Sequence, residues 1–387
     1  MTKPNNYALV IGASGLIGWS VVNQILRCYP AEGTFNRVTA LVNRPLDLEK
    51  SFWPRSTDST PELDLISGIN LLCSDEELEA TLKEKIVDVN LITHVYYFAF
   101  KDNSDPIQEV EINVGMMCRV VRAINHLSPN LQFFVYPGGT RGYGIYRPGG
   151  IFSAPLHEEM ADSLPQDYLQ TVAYPHYRAM LSTESAGSAW SWCELVPDAI
   201  VGFTPNGSAF SLAGHWAAYL STYRLVYGEG AEVPFPGVVA GYDSLFTEVG
   251  ASTLAKVAVF ASLHPGAFRE TIFNVAESAE PSSMRSTWPQ IAECFGLKGV
   301  PPSVKASTED EKPSEFVKRH GEVLKKAGVK GVEIWNPAQL DSYGYWLTFD
   351  RQLALGRLKG AGYEEERRPV EGWREAFELF KKAGMVV

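Results

Sequence analysis

Tyr174 and Arg178 stand in a Tyr-x-x-x-Arg spacing within Tyr174-Pro175-His176-Tyr177-Arg178, and a second arginine, Arg141, lies in the glycine-rich run Gly138-Gly139-Thr140-Arg141-Gly142-Tyr143. A phenol beside a guanidinium can hydrogen-bond a carbonyl oxygen and stabilise the enolate or alkoxide that develops there. Its unperturbed pKa is ~10, and a neighbouring cation lowers it. Arg141 or Arg178 could be that cation. Arginine does not give up its proton, so either one would orient and polarise without shuttling protons. A residue before proline avoids the helical region. Tyr174 is therefore expected to project from the turn entering a helix, with Pro175 at the first helical position. The plain alternative is an aromatic packed near a helix start, and Tyr177 is the second choice for the reacting phenol.

A second chemical pattern opens the chain. The apolar run Tyr7–Ile11 leads into Gly12-Ala13-Ser14-Gly15-Leu16-Ile17-Gly18 and then into an amphipathic stretch, Trp19 to Cys28. Strand, glycine turn and helix in that order form a dinucleotide cradle. Gly12 permits the tight turn, Gly15 lets backbone approach a pyrophosphate, and Gly18 lets the helix pack on the strand. The helix start, with Ser14, Leu16 and Ile17, then favours phosphate charge. The spacing is G-x-x-G-x-x-G, so a purely structural turn is the alternative.

The elements that must position these groups follow in order. Arg37–Val42 is a second strand, ending at Asn43-Arg44-Pro45. An acid at that point would accept from a ribose 2′-hydroxyl; here Arg44 could meet a 2′-phosphate, so NADPH is the expected cofactor. Residues 52–61 read as a surface insertion and Ile69–Leu72 as a third strand. Asp75 is expected to cap the helix over 76–83, or Ser74 and Asp75 lie beside an adenine. Thr93–Phe100 is a fourth strand whose end, Phe98-Ala99-Phe100, should lie against the cofactor ribose; His94 within it reads as a core histidine. Glu109–Asn125 is helical, with Asn113, Met117, Val120, Val121 and Ile124 on one stripe. Leu131–Tyr136 is a fifth strand leading through Pro137 into the Arg141 loop, and residues 144–170 are expected to close over a pocket. A helix from Tyr174 to about Ser188 and a sixth strand, Trp192–Val196, complete an alternation that implies a parallel doubly wound sheet. Beyond residue 205 come a long helix at Phe210–Tyr227, a strand at Thr271–Ala276, a helix at Trp288–Phe295, a charged and solvated helical segment at Lys305–Lys330, and helix from Trp346 onward.

With 387 residues and 45% hydrophobic content, the chain can bury one large core or a core with a second lobe. The net charge is −11 with no basic cluster, which argues against nucleic acid and anionic membranes as partners. Apolar runs are interrupted well short of ~20 residues, so no membrane span is expected. The first residues run straight into the strand, so no signal peptide is expected and a cytoplasmic location is. Five scattered cysteines without a C-x-x-C, and histidines without ligand spacing, suggest reduced thiols and no metal.

Taken together, Gly12–Gly18, Asn43-Arg44-Pro45, Thr93–Tyr97, Asn113, Gly139–Tyr143, Pro197–Pro205, Phe273-Asn274-Val275 and Trp288–Gly296 resemble the progesterone 5β-reductase/iridoid synthase-like branch of the extended short-chain dehydrogenase/reductases. The resemblance implies a Rossmann-type α/β fold, with an NADP-binding domain over 1–205 and a smaller, mainly helical substrate lobe over 206–387 that returns some segments to the sheet. It adds Tyr136, Pro137, Pro197, Ala199, Ile200 and the Tyr174 ring to the cofactor contacts. Members reduce the C=C bond of enones or enals with NADPH, and some relatives reduce carbonyls. The branch places a lysine and a tyrosine at the reacting centre; here those positions hold Arg141 and Tyr174, with Pro175 where a second tyrosine is usual. The expected function is NADPH-dependent reduction of an apolar enone, enal or ketone. Non-redox chemistry (isomerisation, epimerisation or cyclisation) and a non-catalytic cofactor-binding role are the alternatives. A small apolar substrate is the expected partner, and a homodimer is compatible with this reading.

Overall fold

The structure, a computed structural model, describes residues 6–303, 311–330 and 336–387. Its centre is a seven-stranded, wholly parallel sheet. The strands are β1 (Tyr7–Ile11), β2 (Arg37–Leu41), β3 (Glu62–Ile66), β4 (His94–Tyr97), β5 (Phe133–Pro137), β6 (Ser191–Val196) and β7 (Thr271–Asn274). Their spatial order is β7-β6-β5-β4-β1-β2-β3. The inner strands are almost continuously apolar because both faces are covered. Alternate residues feed different cores: Ala8 and Val10 join one, while Tyr7, Leu9 and Ile11 join the other. Helices α1 (Leu16–Leu26) and α6 (Ala251–Leu263) pack together over the first core. Helices α2 (Asp75–Lys85), α3 (Pro106–Leu127) and α4 (Ala173–Glu184) cover the second. This is the doubly wound Rossmann arrangement that the alternation of elements implied.

The third strand lies earlier than the sequence suggested. Ile69–Leu72 is not strand; β3 is Glu62–Ile66, an edge strand reading Glu-Leu-Asp-Leu-Ile. An edge leaves one side open to water, so its acids disguised it, and Glu62 pairs with Arg37 on the neighbouring strand at 2.5 Å. The stretch 52–61 is not wholly a surface insertion either. Trp53 is buried, donating its indole N–H to the Trp19 carbonyl (3.0 Å), while Trp19 donates to the Ser51 carbonyl (2.6 Å). Helix α4 starts at Ala173, so Tyr174 sits inside the first turn and Pro175 follows it there. The first-turn N–H groups have no intrahelical acceptor, so the missing donor of proline costs nothing at that place. His94 is a core residue: its Nδ1 meets Thr93 Oγ1 at 2.8 Å, and burial lowers its pKa to about 4.

The chain beyond residue 205 contributes β7 and α6 to the sheet and otherwise gathers around Trp216 on α5 (Leu212–Tyr227). Trp216 stacks on Trp373 (5.5 Å) and meets Trp288 edge-on (5.0 Å). Of the charged stretch Lys305–Lys330, residues 305–310 lie outside the described ones, as does the chain start, 1–5. Its remainder holds a helix, Pro313–Lys326, that buries Phe316, Val317 and Leu324 and so is a packed amphipathic element. All five cysteines are free thiols.

Glu248, at the base of this lobe, is 2% exposed and accepts from the Trp373 indole at 2.9 Å. Burial, reinforced by Glu277 and Asp198, pushes its carboxyl up to about 8. The folded state then holds a proton that the unfolded chain releases near ~4.5, so stability falls as pH rises between those values, by about 1.4 kcal/mol per unit. Glu248→Gln is expected to flatten that slope and to stabilise the protein at pH 8 relative to the parent. Urea unfolding of both proteins across pH 5–9 checks it; parallel slopes would contradict it.

Candidate active site

One cavity of about 940 Å³ opens at the carboxyl edge of the sheet. Its lining includes Ile11, Leu41, Tyr97 and Pro137, the last residues of β1, β2, β4 and β5. It therefore straddles the gap between β1 and β4, where the strand order reverses and ligands bind in open α/β sheets. At one side lies the glycine turn. Gly12 has φ +78°, and a Cβ there would stand 2.7 Å from the Phe98 carbonyl carbon, so the exit of β4 dictates glycine. A Cβ on Gly18 would overlap the Gly12 carbonyl, which explains the close seating of α1. At Gly15 a Cβ would touch nothing but the Gly12 oxygen, at 3.3 Å, and otherwise faces open space. Gly15 is also the N-cap of α1, with no side chain capping the helix. First-turn N–H groups and the positive end of the dipole thus face the cavity beside Ser14, Gly15, Leu16 and Ile17. This cradle fits the pyrophosphate of a dinucleotide.

Asn43 and Arg44 line the cavity beyond β2. Arg44 is exposed and makes no ion pair or hydrogen bond among the described residues, so its fork is free for an anion. Phe98, Ala99, Phe100, Pro137 and Ile200 also line the cavity. Phe98–Phe100 do so after leaving the strand, which ends at Tyr97. Gly18, Pro45, Ser74, Asp75, Tyr136, Pro197 and Ala199 fall outside the lining. Ser74 is the cap of α2, in a reciprocal box with Glu77, and Asp75 is held by Arg119 and Arg122, each at 3.5 Å. Capping, expected of Asp75 from sequence, thus belongs to Ser74, and the residues just before it that line the cavity are Ile69–Leu72. Tyr136 points into the sheet core, where its hydroxyl donates to Glu194 at 2.9 Å. The Pro197 carbonyl accepts from the Thr140 N–H, and Ala199 opens a two-stranded pairing with Glu248–Gly250.

At the other end stand Arg141 and the tyrosines. Tyr174 and Tyr177 both line the cavity, their rings 6.4 Å apart. Tyr174 is wrapped by the loop after β5: a Cβ on Gly139 would be 3.0 Å from its hydroxyl, and one on Gly142 would be 3.1 Å from its ring. Gly139 has φ 169°, ordinary extended backbone, so space beside the phenol and not conformation favours glycine there. The Tyr174 hydroxyl has no hydrogen-bond partner among the described residues. Burial raises its pKa and Arg141 opposes that rise, leaving a protonated phenol at neutral pH. Tyr177 is raised well above the usual value for the same reason. Such phenols donate hydrogen bonds and do not serve as bases.

The spacing that joined Tyr174 to Arg178 does not survive in space. Arg178 lies outside the lining and pairs with buried Glu194 at 2.8 Å. An acid in the middle of an apolar strand must be compensated, and Arg178 does this from one side and Tyr136 from another. The cation at Tyr174 is Arg141, which lines the cavity. Sequence reasoning missed Glu109, Lys101, Tyr146 and Phe210, all of which line it. Glu109 had a signal: the α3 stripe through Asn113 and Met117, extended back one turn, puts an acid on the buried face. Tyr146 belongs to the loop expected to close over the pocket, and it does form part of the wall. Phe210, expected to open the long helix, instead precedes it, since that helix starts at Leu212, and it lies edge-on to Phe100 at 5.8 Å.

Among the described residues no cluster of His, Cys, Asp and Glu could hold a metal, and no helix is long and apolar enough to cross a membrane. A profile of the PRISE-like Rossmann-fold domain matches residues 8–387. The chain is 31% identical to the short chain dehydrogenase ausT of Aspergillus calidoustus, over 99% of this chain and 95% of that one. It is 24% identical to a 3-oxo-Delta(4,5)-steroid 5-beta-reductase of Arabidopsis thaliana, over 75% and 69% of the respective chains. In fold it is similar to a GDP-mannoheptose C4 reductase from Campylobacter jejuni solved with NADP bound, with TM-score 0.59 and 13% identity, covering 98% of this chain and 99% of that one.

Proposed function

The chain belongs to the PRISE-like Rossmann-fold family of short-chain dehydrogenases, and on that premise we propose that it is an NADPH-dependent reductase of an activated C=C or C=O bond in an apolar small molecule. The observation that carries this reading is one cavity holding both an uncapped glycine cradle and a protonated, unpartnered phenol. NADPH, when bound, supplies the hydride. The amides at the start of α1 hold the pyrophosphate, and Arg44 meets the 2′-phosphate through charge-assisted bonds. Tyr174 donates to the substrate oxygen and stabilises the charge that develops there. Phe100, Phe210 and Tyr146 exclude water and favour an apolar substrate. The names of the relatives, a steroid reductase among them, agree with this direction. Non-redox chemistry by the same fold remains the competing reading, since Arg141 replaces the lysine of the branch; consumption of NADPH with an apolar enone or ketone separates the two.

Cofactor choice is testable alone. NADPH should bind more tightly than NADH, and Arg44→Ala should narrow that gap by about 1–3 kcal/mol, the scale of a charge-assisted hydrogen bond. Calorimetric titration checks it. Equal affinities in the parent protein would remove Arg44 from the site.

A further inference from the structure

Glu109 is a buried acid on the cavity wall that the reading above leaves unused. It is 5% exposed and lies in the first turn of α3. Its carboxylate accepts from Arg141 Nη1, and the Asn103 N–H approaches its other oxygen at 3.4 Å. Arg141 Nη2 donates to the Thr171 carbonyl at 2.5 Å. Thr171 immediately precedes Val172, the N-cap of α4. The guanidinium lies over the Tyr146 ring, 5.2 Å from its centre, and the Tyr168 hydroxyl donates to the Arg141 carbonyl at 3.0 Å. One side chain therefore ties α3, the loop after β5 and the entry to the helix that carries Tyr174. A planar fork can reach two acceptors at once in fixed directions, which a lysine ammonium does not do. Both terminal nitrogens of this fork already have protein acceptors, and its charge has a carboxylate against it.

We propose that Glu109 is a positioning residue of the reacting centre: with the Thr171 carbonyl it fixes Arg141 as a charge-compensated brace beside Tyr174, and Arg141 acts on the phenol without itself binding the substrate oxygen. This rests on Tyr174 being the donor. The groups facing Tyr174 are Arg141 and Tyr146 from the loop, Glu109 from α3, Glu194 from β6 and Tyr177 from its own helix. Glu194 is itself paired with Arg178. Arg141 lowers the proton affinity of the phenol and Glu109 raises it.

The test places 2,3,5,6-tetrafluorotyrosine at position 174, whose phenol is more acidic than that of tyrosine by several pH units and so titrates at an accessible pH despite its burial, and follows its fluorine resonances in the NADPH-free protein. Glu109→Gln, which keeps an acceptor for Arg141 but loses the charge, should move the midpoint down. Arg141→Met should move it up. Shifts of at least about half a pH unit are expected for charges this close. A structural disturbance alone would not give opposite signs. A midpoint unmoved in whichever variant folds overturns the proposal. With the natural tyrosine and saturating NADPH, Glu109→Leu should lower kcat with cofactor affinity unchanged, and Glu109→Gln should recover most of it. If the parent transfers no hydride, the reductase reading fails, while the fluorine titration still decides the role of Glu109.

Discussion

Tyr174→Phe lowers kcat by about 10²–10³, or about 2.7–4 kcal/mol in the transition state, while NADPH binds as before. The magnitude is that of removing one preorganised donor from a developing oxyanion. The geometry makes Tyr174 that donor. The residue lines the cavity, its hydroxyl has no protein partner among the described residues, and glycine leaves room beside the hydroxyl at position 139 and beside the ring at position 142. The loss should be specific to turnover, because the cradle for the phosphates lies at Gly12–Ile17, across the cavity. Folding should change little, since the phenylalanine ring retains the packing against Tyr177. Steady-state rates with saturating substrate, and titration of NADPH by its fluorescence, check both halves. A variant with undiminished kcat would leave Tyr177 to be tested as the reacting phenol.

Gly15→Val removes cofactor binding, with affinity for NADPH falling by about 10² or more, the equivalent of losing one or two charge-assisted bonds to phosphate. Gly15 has φ −81° and ψ 174°, a conformation valine adopts without strain. Its Cβ would press only on the Gly12 carbonyl, at 3.3 Å, so the fold should persist. The added methyl groups would instead occupy the space in front of the α1 amides. Gly12 would make a poorer probe: its positive φ and the nearby Phe98 carbonyl mix folding with binding. Calorimetry and circular dichroism on Gly15→Val check the two effects separately. Normal NADPH binding would mean the glycine turn is structural only.

The parts legible in sequence were those set by local chemistry. Tyr7–Ile11 followed by Gly12–Gly18 reads as strand, turn and helix from its own residues, and Gly12 is required because the exit of β4, at Phe98 and Ala99, passes close to it. The inner strands were readable because burial on both faces leaves unbroken apolar runs. The edge strand β3 was not, because water on one side permits Glu62 and Asp64. Tyr174, Arg141 and Arg44, singled out from type and spacing, line one cavity. Arg178 was misplaced because its partner, Glu194 on β6, meets it only once α4 packs against the sheet. No local pattern records that tertiary event. Glu109 was half legible: the α3 stripe through Asn113 and Met117 put it on the buried face, but only the fold shows that its partner is Arg141 of the loop after β5.

Hydride transfer is the claim on which the rest depends. NADPH deuterated on the transferred position, incubated with the protein and an apolar enone or ketone, should yield deuterated product at the electrophilic carbon as NADPH is consumed. Tyr174→Phe should slow the appearance of label by about 10²–10³. Turnover of substrate with no NADPH consumed and no deuterium in the product would contradict the account and leave non-redox chemistry in its place.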